Sequence, residues 1–178
     1  APIMGGPDAT KKGDVITIVS GNKKILEKCR KILSNFSKKI FYVSNHDGVA
    51  NYIKLGLNLN IALIAISLSE SIVFVKKSKT DPSIFLEILN STYFKTGLSQ
   101  IKGPKMIKNN FEPKFFLKNM LKDIQLLNEC SKQNGASLSF SSLAEQYYQM
   151  AANRGYSELD YTAVLKLFSE FNNLSPSH

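Results

Sequence analysis

The stretch Gly48-Val-Ala-Asn-Tyr-Ile-Lys-Leu-Gly-Leu-Asn58, continued by Leu59-Asn-Ile-Ala-Leu-Ile-Ala-Ile-Ser-Leu-Ser-Glu-Ser-Ile-Val-Phe-Val-Lys-Lys77, holds the longest helical apolar pattern in the chain. Val49, Ile53, Leu57, Ile61, Ile64, Leu68, Ile72 and Val75 recur at helical spacing and predict one helix from about Gly48 to Lys77. Asn45 or Asp47 can cap its start. Asn51, Lys54 and Asn58 share a stripe at i, i+3 and i+7, while Ile53, Leu57, Ile61 and Ile64 mark the neighbouring face, the one expected to be buried. A buried amine and carboxamide are costly unless they meet partners or a ligand. The stripe therefore faces solvent at a frayed helix start, or it aims two polar heads into one cleft.

Working outward, the pattern changes once. Residues 1–44 read as mixed α/β: a glycine loop at Gly5-Gly6-Pro7, a strand over Val15–Val19, a helix from Lys23 to Phe36 and a short strand over Ile40–Val43. From residue 45 to 178 only helices are expected: the long one, one capped by Thr80-Asp81-Pro82, shorter ones near 96–108, then about 113–133, 139–154 and 157–171. The fold class is thus mainly α, a helical bundle organised around one long helix and preceded by a short α/β segment.

Composition narrows the function classes. A net charge of +9 over 178 residues invites a nucleic-acid reading. The lysines are scattered in pairs near element ends, without an arginine stripe or interleaved aromatics, which favours a solvated basic surface that greets small anions. No nucleic-acid partner is expected. The uninterrupted apolar run Ile61–Ile66 falls short of the roughly 20 residues of a bilayer span, and no signal peptide is visible, so neither a membrane nor export is expected. Cys29 and Cys130 lie in helical patterns without ligand spacing and read as buried free thiols of a cytoplasmic protein that holds no metal. His46 beside Asp47 reads as a loop residue, and Tyr147-Tyr148 and Phe115-Phe116 as core aromatics.

Four segments carry a resemblance. "GVANYIKLGLN" is similar to the catalytic-helix pattern G-x-G-x-x-x-K-x-x-N-N of the β-hydroxyacid dehydrogenase family, the family of 3-hydroxyisobutyrate dehydrogenase, through Gly48, Lys54 and Asn58. Ala50 and Leu57 depart from it. "APIMGGPDATKKGDV" resembles the family's substrate loop A-P-V-S-G-G-x-x-x-A-x-x-G, with Met4 in the serine position. "FEPKFFLKNMLKDIQLL" resembles F-x-P-x-F-x-L-x-x-x-x-K-D-L-x-L through Phe111, Pro113, Phe115, Leu117, Lys122 and Asp123. "RGYSELDYTAV" resembles G-x-x-x-x-D-x-S-A-V through Gly155, Asp160, Ala163 and Val164.

The resemblance implies a C-terminal portion of such an enzyme. Residues 1–44 would end a Rossmann-like dinucleotide-binding domain, and 45–178 would form its all-α domain. The G-x-G-x-x-G fingerprint is not found, and Met4-Gly-Gly-Pro-Asp-Ala9 is expected neither to follow a strand nor to open a helix. The implied chemistry is hydride exchange between NAD or NADP and a small 3-hydroxy acid or its semialdehyde. Lys54 would be the general acid/base, and Asn58 would orient the amine or bind substrate. Gly5 and Gly6 would hold the substrate carboxylate, and Lys122 would reach the cofactor. Leu57 argues against the 6-phosphogluconate branch, which has histidine three residues after the lysine. A homo-oligomer through the long helix is expected, and the portion alone is expected to be inactive. The alternative is a non-enzymatic helical interaction module built on the same scaffold.

Overall fold

The computed structural model describes residues 1–174, which divide into two compact units, Ala1–Asn58 and the chain from Leu59 onward. The first contains β1 (Ile3–Met4), α1 (Pro7–Lys11), β2 (Val15–Ser20), α2 (Lys23–Leu33), β3 (Ser37–Ser44) and the first turns of α3 (Val49–Lys77). The sheet order is β1-β2-β3, with β1 antiparallel and β3 parallel to β2, so β2-α2-β3 is a crossover unit. Val15, Thr17 and Ile18 of β2 are almost fully buried, and Leu26 of α2 is 4% exposed.

Four expectations are revised in this unit. Helix α2 stops at Leu33 and β3 starts earlier than Ile40, because Ser37 and Lys39 pair with Val15 and Ile16. The ladder's backbone hydrogen bonds accept the polar Ser37-Lys38-Lys39 run that the apolar pattern had excluded. The Met4–Ala9 segment does follow a strand and open a helix, since Ile3 and Met4 pair with Thr17 and Ile16 and Pro7 begins α1. With two residues in β1 and five in α1, it is still no pyrophosphate-binding turn. Cys29 is exposed rather than buried, and Cys130, in the second unit, is partly buried.

The second unit holds the rest of α3 with α4 (Pro82–Ser91), α5 (Gly97–Ile101), α6 (Gly103–Ile107), α7 (Leu117–Asn134), α8 (Ser139–Ala151) and α9 (Val164–Phe171). Asp81 caps α4 through Ser83 N–H, as its sequence predicts. Helix α7 begins at Leu117 rather than near Pro113, because Phe116 is extended and bridges to Asp160. The same bridge shortens the last expected helix to a 3₁₀ turn, Tyr161–Ala163, followed by α9.

The core gathers Ala62, Ala65, Ile72, Met106, Leu117, Tyr148, Ala151, Ala163, Val164 and Leu167, all at 0% exposure. By length and composition α3, with 29 residues and a mean hydropathy of 1.7 in its most apolar window, would suffice to cross a membrane, contrary to the reading of its apolar run. The fully buried Ala62, Ala65, Ser69 and Ile72 instead make it the central helix of this core.

Gly135 closes α7 at φ +75°, in the left-handed region, and its N–H returns to Ser131 O. Nothing lies within 4 Å of a Cβ built there, so backbone conformation alone is at stake. Gly135→Ala is expected to lower stability by about 1 kcal/mol. Chemical denaturation with an unchanged m-value is the check.

Candidate functional site

In the first unit, the carboxyl ends of β2 and β3 anchor the start of α3. Gly21 N–H donates to Ser44 O (2.9 Å), Tyr42 OH donates to Gly21 O (3.0 Å), and the Ala50 N–H of α3 donates to Ser20 Oγ (3.1 Å). Gly21 sits at φ +113°, a conformation that favours glycine, and the Asp47 carboxylate lies against it where the 45–48 loop passes the strand end. Gly48, at φ +86°, then turns the chain into the helix.

From this anchored start, α3 presents Lys54 half-buried and Asn58 at 5% exposure, one turn apart. Asn51, further out, is exposed. Ile53 and Leu57, expected on the buried face, are 38% and 42% exposed. The inward line of the helix runs through Lys54, Asn58, Ala62, Ala65, Ser69 and Ile72, and small or polar residues allow the close packing that bulk had been expected to supply. The Lys54 ammonium makes no ion pair among the described residues.

Gly5 and Gly6 lie in the β1–α1 turn, both exposed. Gly5 has φ +142°, and a Cβ there would come within 2.7 Å of Val15 Cγ1, so the turn packs its bare backbone against β2. By register Gly5 follows the Met4–Ile16 pair, at the end of β2 opposite the one that anchors α3. In the second unit Lys122 projects from α7 with a side chain 69% exposed, its Nζ 3.0 Å from Oδ1 of the buried Asp123.

Sequence reasoning assigned no role to Asp160, which is 1% exposed. Its Oδ2 accepts from Lys102 Nζ at 2.6 Å and from the N–H groups of Lys114 (3.1 Å) and Phe115 (3.4 Å). Its Oδ1 accepts from Thr162 Oγ1 (2.8 Å) and Thr162 N–H (3.3 Å). The Asp-x-Thr spacing was a legible capping signal. Its long-range partners Lys102 and Lys114 were not.

Tyrosines around this core resist ionisation. Burial, and then the charge of Asp160, raise Tyr161; burial also raises Tyr148. Burial and donation to Glu170 push Tyr156 up to about 12. A folded-state value above the unfolded one means that stability is complete below about pH 10, the unfolded tyrosine value. It falls as pH rises toward 12. Tyr156→Phe is expected to flatten part of that fall, measured as the unfolding midpoint against pH.

The family model described as the NAD-binding region of NADP-dependent 3-hydroxyisobutyrate dehydrogenase matches residues 48–168. That of the NAD-binding domain of 6-phosphogluconate dehydrogenase matches residues 1–44. An uncharacterised oxidoreductase of Bacillus subtilis, YfjR, is 30% identical over 167 residues, which cover 93% of this chain and 58% of that protein. Glyoxylate/succinic semialdehyde reductase 2 of Arabidopsis thaliana is 28% identical over 167 residues, covering 93% and 46%. A 3-hydroxyisobutyrate dehydrogenase structure from Salmonella typhimurium superposes with a TM-score of 0.87 at 18% identity, over 94% of this chain and 59% of that one. The chain thus spans about half the length of the curated relatives it matches.

Proposed function

We propose, since this chain belongs to the β-hydroxyacid dehydrogenase family, that it forms the substrate-side helical portion of an NAD(P)-dependent oxidoreductase interconverting a small 3-hydroxy acid and its semialdehyde. The observation that carries this reading is the inward turn of Lys54 and Asn58 while Ile53 and Leu57 are left exposed. A helix start arranged only for packing would face the other way.

The donor set fits a nicotinamide dinucleotide: an ammonium without an ion-pair partner among the described residues, and a buried carboxamide one turn on. Such a cofactor supplies the hydride acceptor or donor when bound. Lys54 handles the proton: as the free amine it takes the proton of the substrate hydroxyl, and as the ammonium it stabilises alkoxide character and returns the proton in the reverse direction. Asn58 hydrogen-bonds the same oxygen and orients the amine. The backbone N–H groups of Gly5 and Gly6 hold the carboxylate, and Lys122 contacts the cofactor. The junction between the dinucleotide-binding and helical parts is placed at residues 44–45; the change of matching family model between 44 and 48 supports it.

The test follows nicotinamide absorbance in the full-length protein against a panel of 3-hydroxy acids and semialdehydes. Turnover on at least one is expected, and none from residues 1–178 alone.

The same reading includes a homo-oligomer. The second unit exposes Phe74 (76%), Phe94 (80%), Phe140 (71%) and Tyr93 (104%), large apolar surfaces of the kind subunit contacts cover. Phe74→Glu is expected to reduce the assembly's mass in analytical ultracentrifugation. An unchanged mass would move the contact elsewhere.

A further inference from the structure

Where α3 ends against α9, a cavity of about 80 Å³ is lined by Lys76, Asn109, Tyr156, Lys166, Ser169, Glu170 and Leu174. Its charges do not cancel inside it. Glu170, the one carboxylate lining it among the described residues, is engaged by Arg154 Nε at 2.7 Å and by the Tyr156 hydroxyl. Lys77, next to Lys76, is occupied by Asn172 O at 3.0 Å. Lys76 and Lys166 are both half-buried, and neither makes an ion pair among the described residues; Lys166 Nζ lies 5.1 Å over the Tyr156 ring. With Glu170 held by Arg154, the two ammonium groups leave the cavity with a positive balance that an anion would neutralise.

We propose that this cavity binds a phosphate-type oxyanion, held by Lys76 and Lys166 with the Asn109 amide as an additional donor. The cavity has room for one tetrahedral oxyanion. The arrangement separates charge: Arg154 neutralises Glu170, and the lysines remain for the ligand. This site is independent of Lys54 and of the oxidoreductase reading.

The test follows thermal unfolding of the chain with increasing inorganic phosphate, against sodium chloride of matched ionic strength. A saturable rise in Tm of several degrees with phosphate and not with chloride is expected, because a ligand bound only by the folded state stabilises it. Lys76→Gln and Lys166→Gln should each remove most of that rise. Isothermal titration of phosphate into each folded variant keeps the test independent of any change in baseline stability. Glycerol 3-phosphate forms a second arm: saturation at lower concentration than inorganic phosphate identifies a phosphomonoester as the ligand, and the reverse identifies the free ion. An equal rise in chloride, or full phosphate binding by both variants, overturns the proposal.

Discussion

Lys54→Ala in the full-length protein is expected to lower kcat/KM by about 10²- to 10⁴-fold, the usual contribution of a positioned general acid/base. The prediction follows from position rather than from lysine content, since the chain carries many lysines and only a few are held inward. Lys54 sits one turn before the buried Asn58, on a helix whose start is tied to the ends of two strands through Ser20 and Gly21. That anchoring fixes where the amine can reach, and a mispositioned base loses most of its effect. Lys54→Arg separates the two parts of the role. The guanidinium keeps the positive charge but cannot give up its proton, so it should remain nearly as impaired as alanine in the oxidative direction. Turnover within a few-fold of wild type in both variants would remove Lys54 from the mechanism. Cofactor binding without turnover on any substrate would favour the helical interaction module.

How far the sequence could be read follows from the range of each interaction. The strand β2 and the N-terminal cap of α4 depend on neighbours within a few residues, and both were legible. Lys54 and Asn58 were identifiable as a stripe, but the side of α3 that faces inward was not. Hydrophobicity favoured Ile53 and Leu57, whereas the packing follows the small residues Ala62, Ala65 and Ser69. Close approach of backbones depends on residue size, which an apolar period does not record. The starts of α7 and of the last helix were misplaced for a related reason. Both boundaries are set by one bridge between Phe116 and Asp160, residues far apart in the chain. Resemblance had marked Asp160 as a motif position without saying what it holds.

What it holds gives the second large effect: Asp160→Asn is expected to destabilise the helical unit by about 3–5 kcal/mol, the cost of leaving a buried charge without its partner. In that variant the Lys102 ammonium, with a side chain only 15% exposed, loses its counter-charge, and asparagine offers one acceptor oxygen where the carboxylate offers two. The N–H groups of Lys114 and Phe115 and both Thr162 donors then compete for it, so the segment before α7 and the turn before α9 loosen together. Lys102→Met should cost less. It removes one donor, while the carboxylate keeps its four contacts from Lys114, Phe115 and Thr162. For a chain of this size each kcal/mol lowers Tm by roughly 2–4 °C, so Asp160→Asn should melt about 6–20 °C below wild type. The double variant should lose less than the sum of the two single losses, because the charge stranded by the first change is removed by the second. Strict additivity, or a loss under about 1 kcal/mol for Asp160→Asn, would mean that this carboxylate only caps its local turn, and that the register of α7 is set by the burial of Leu117, Met120 and Ile124.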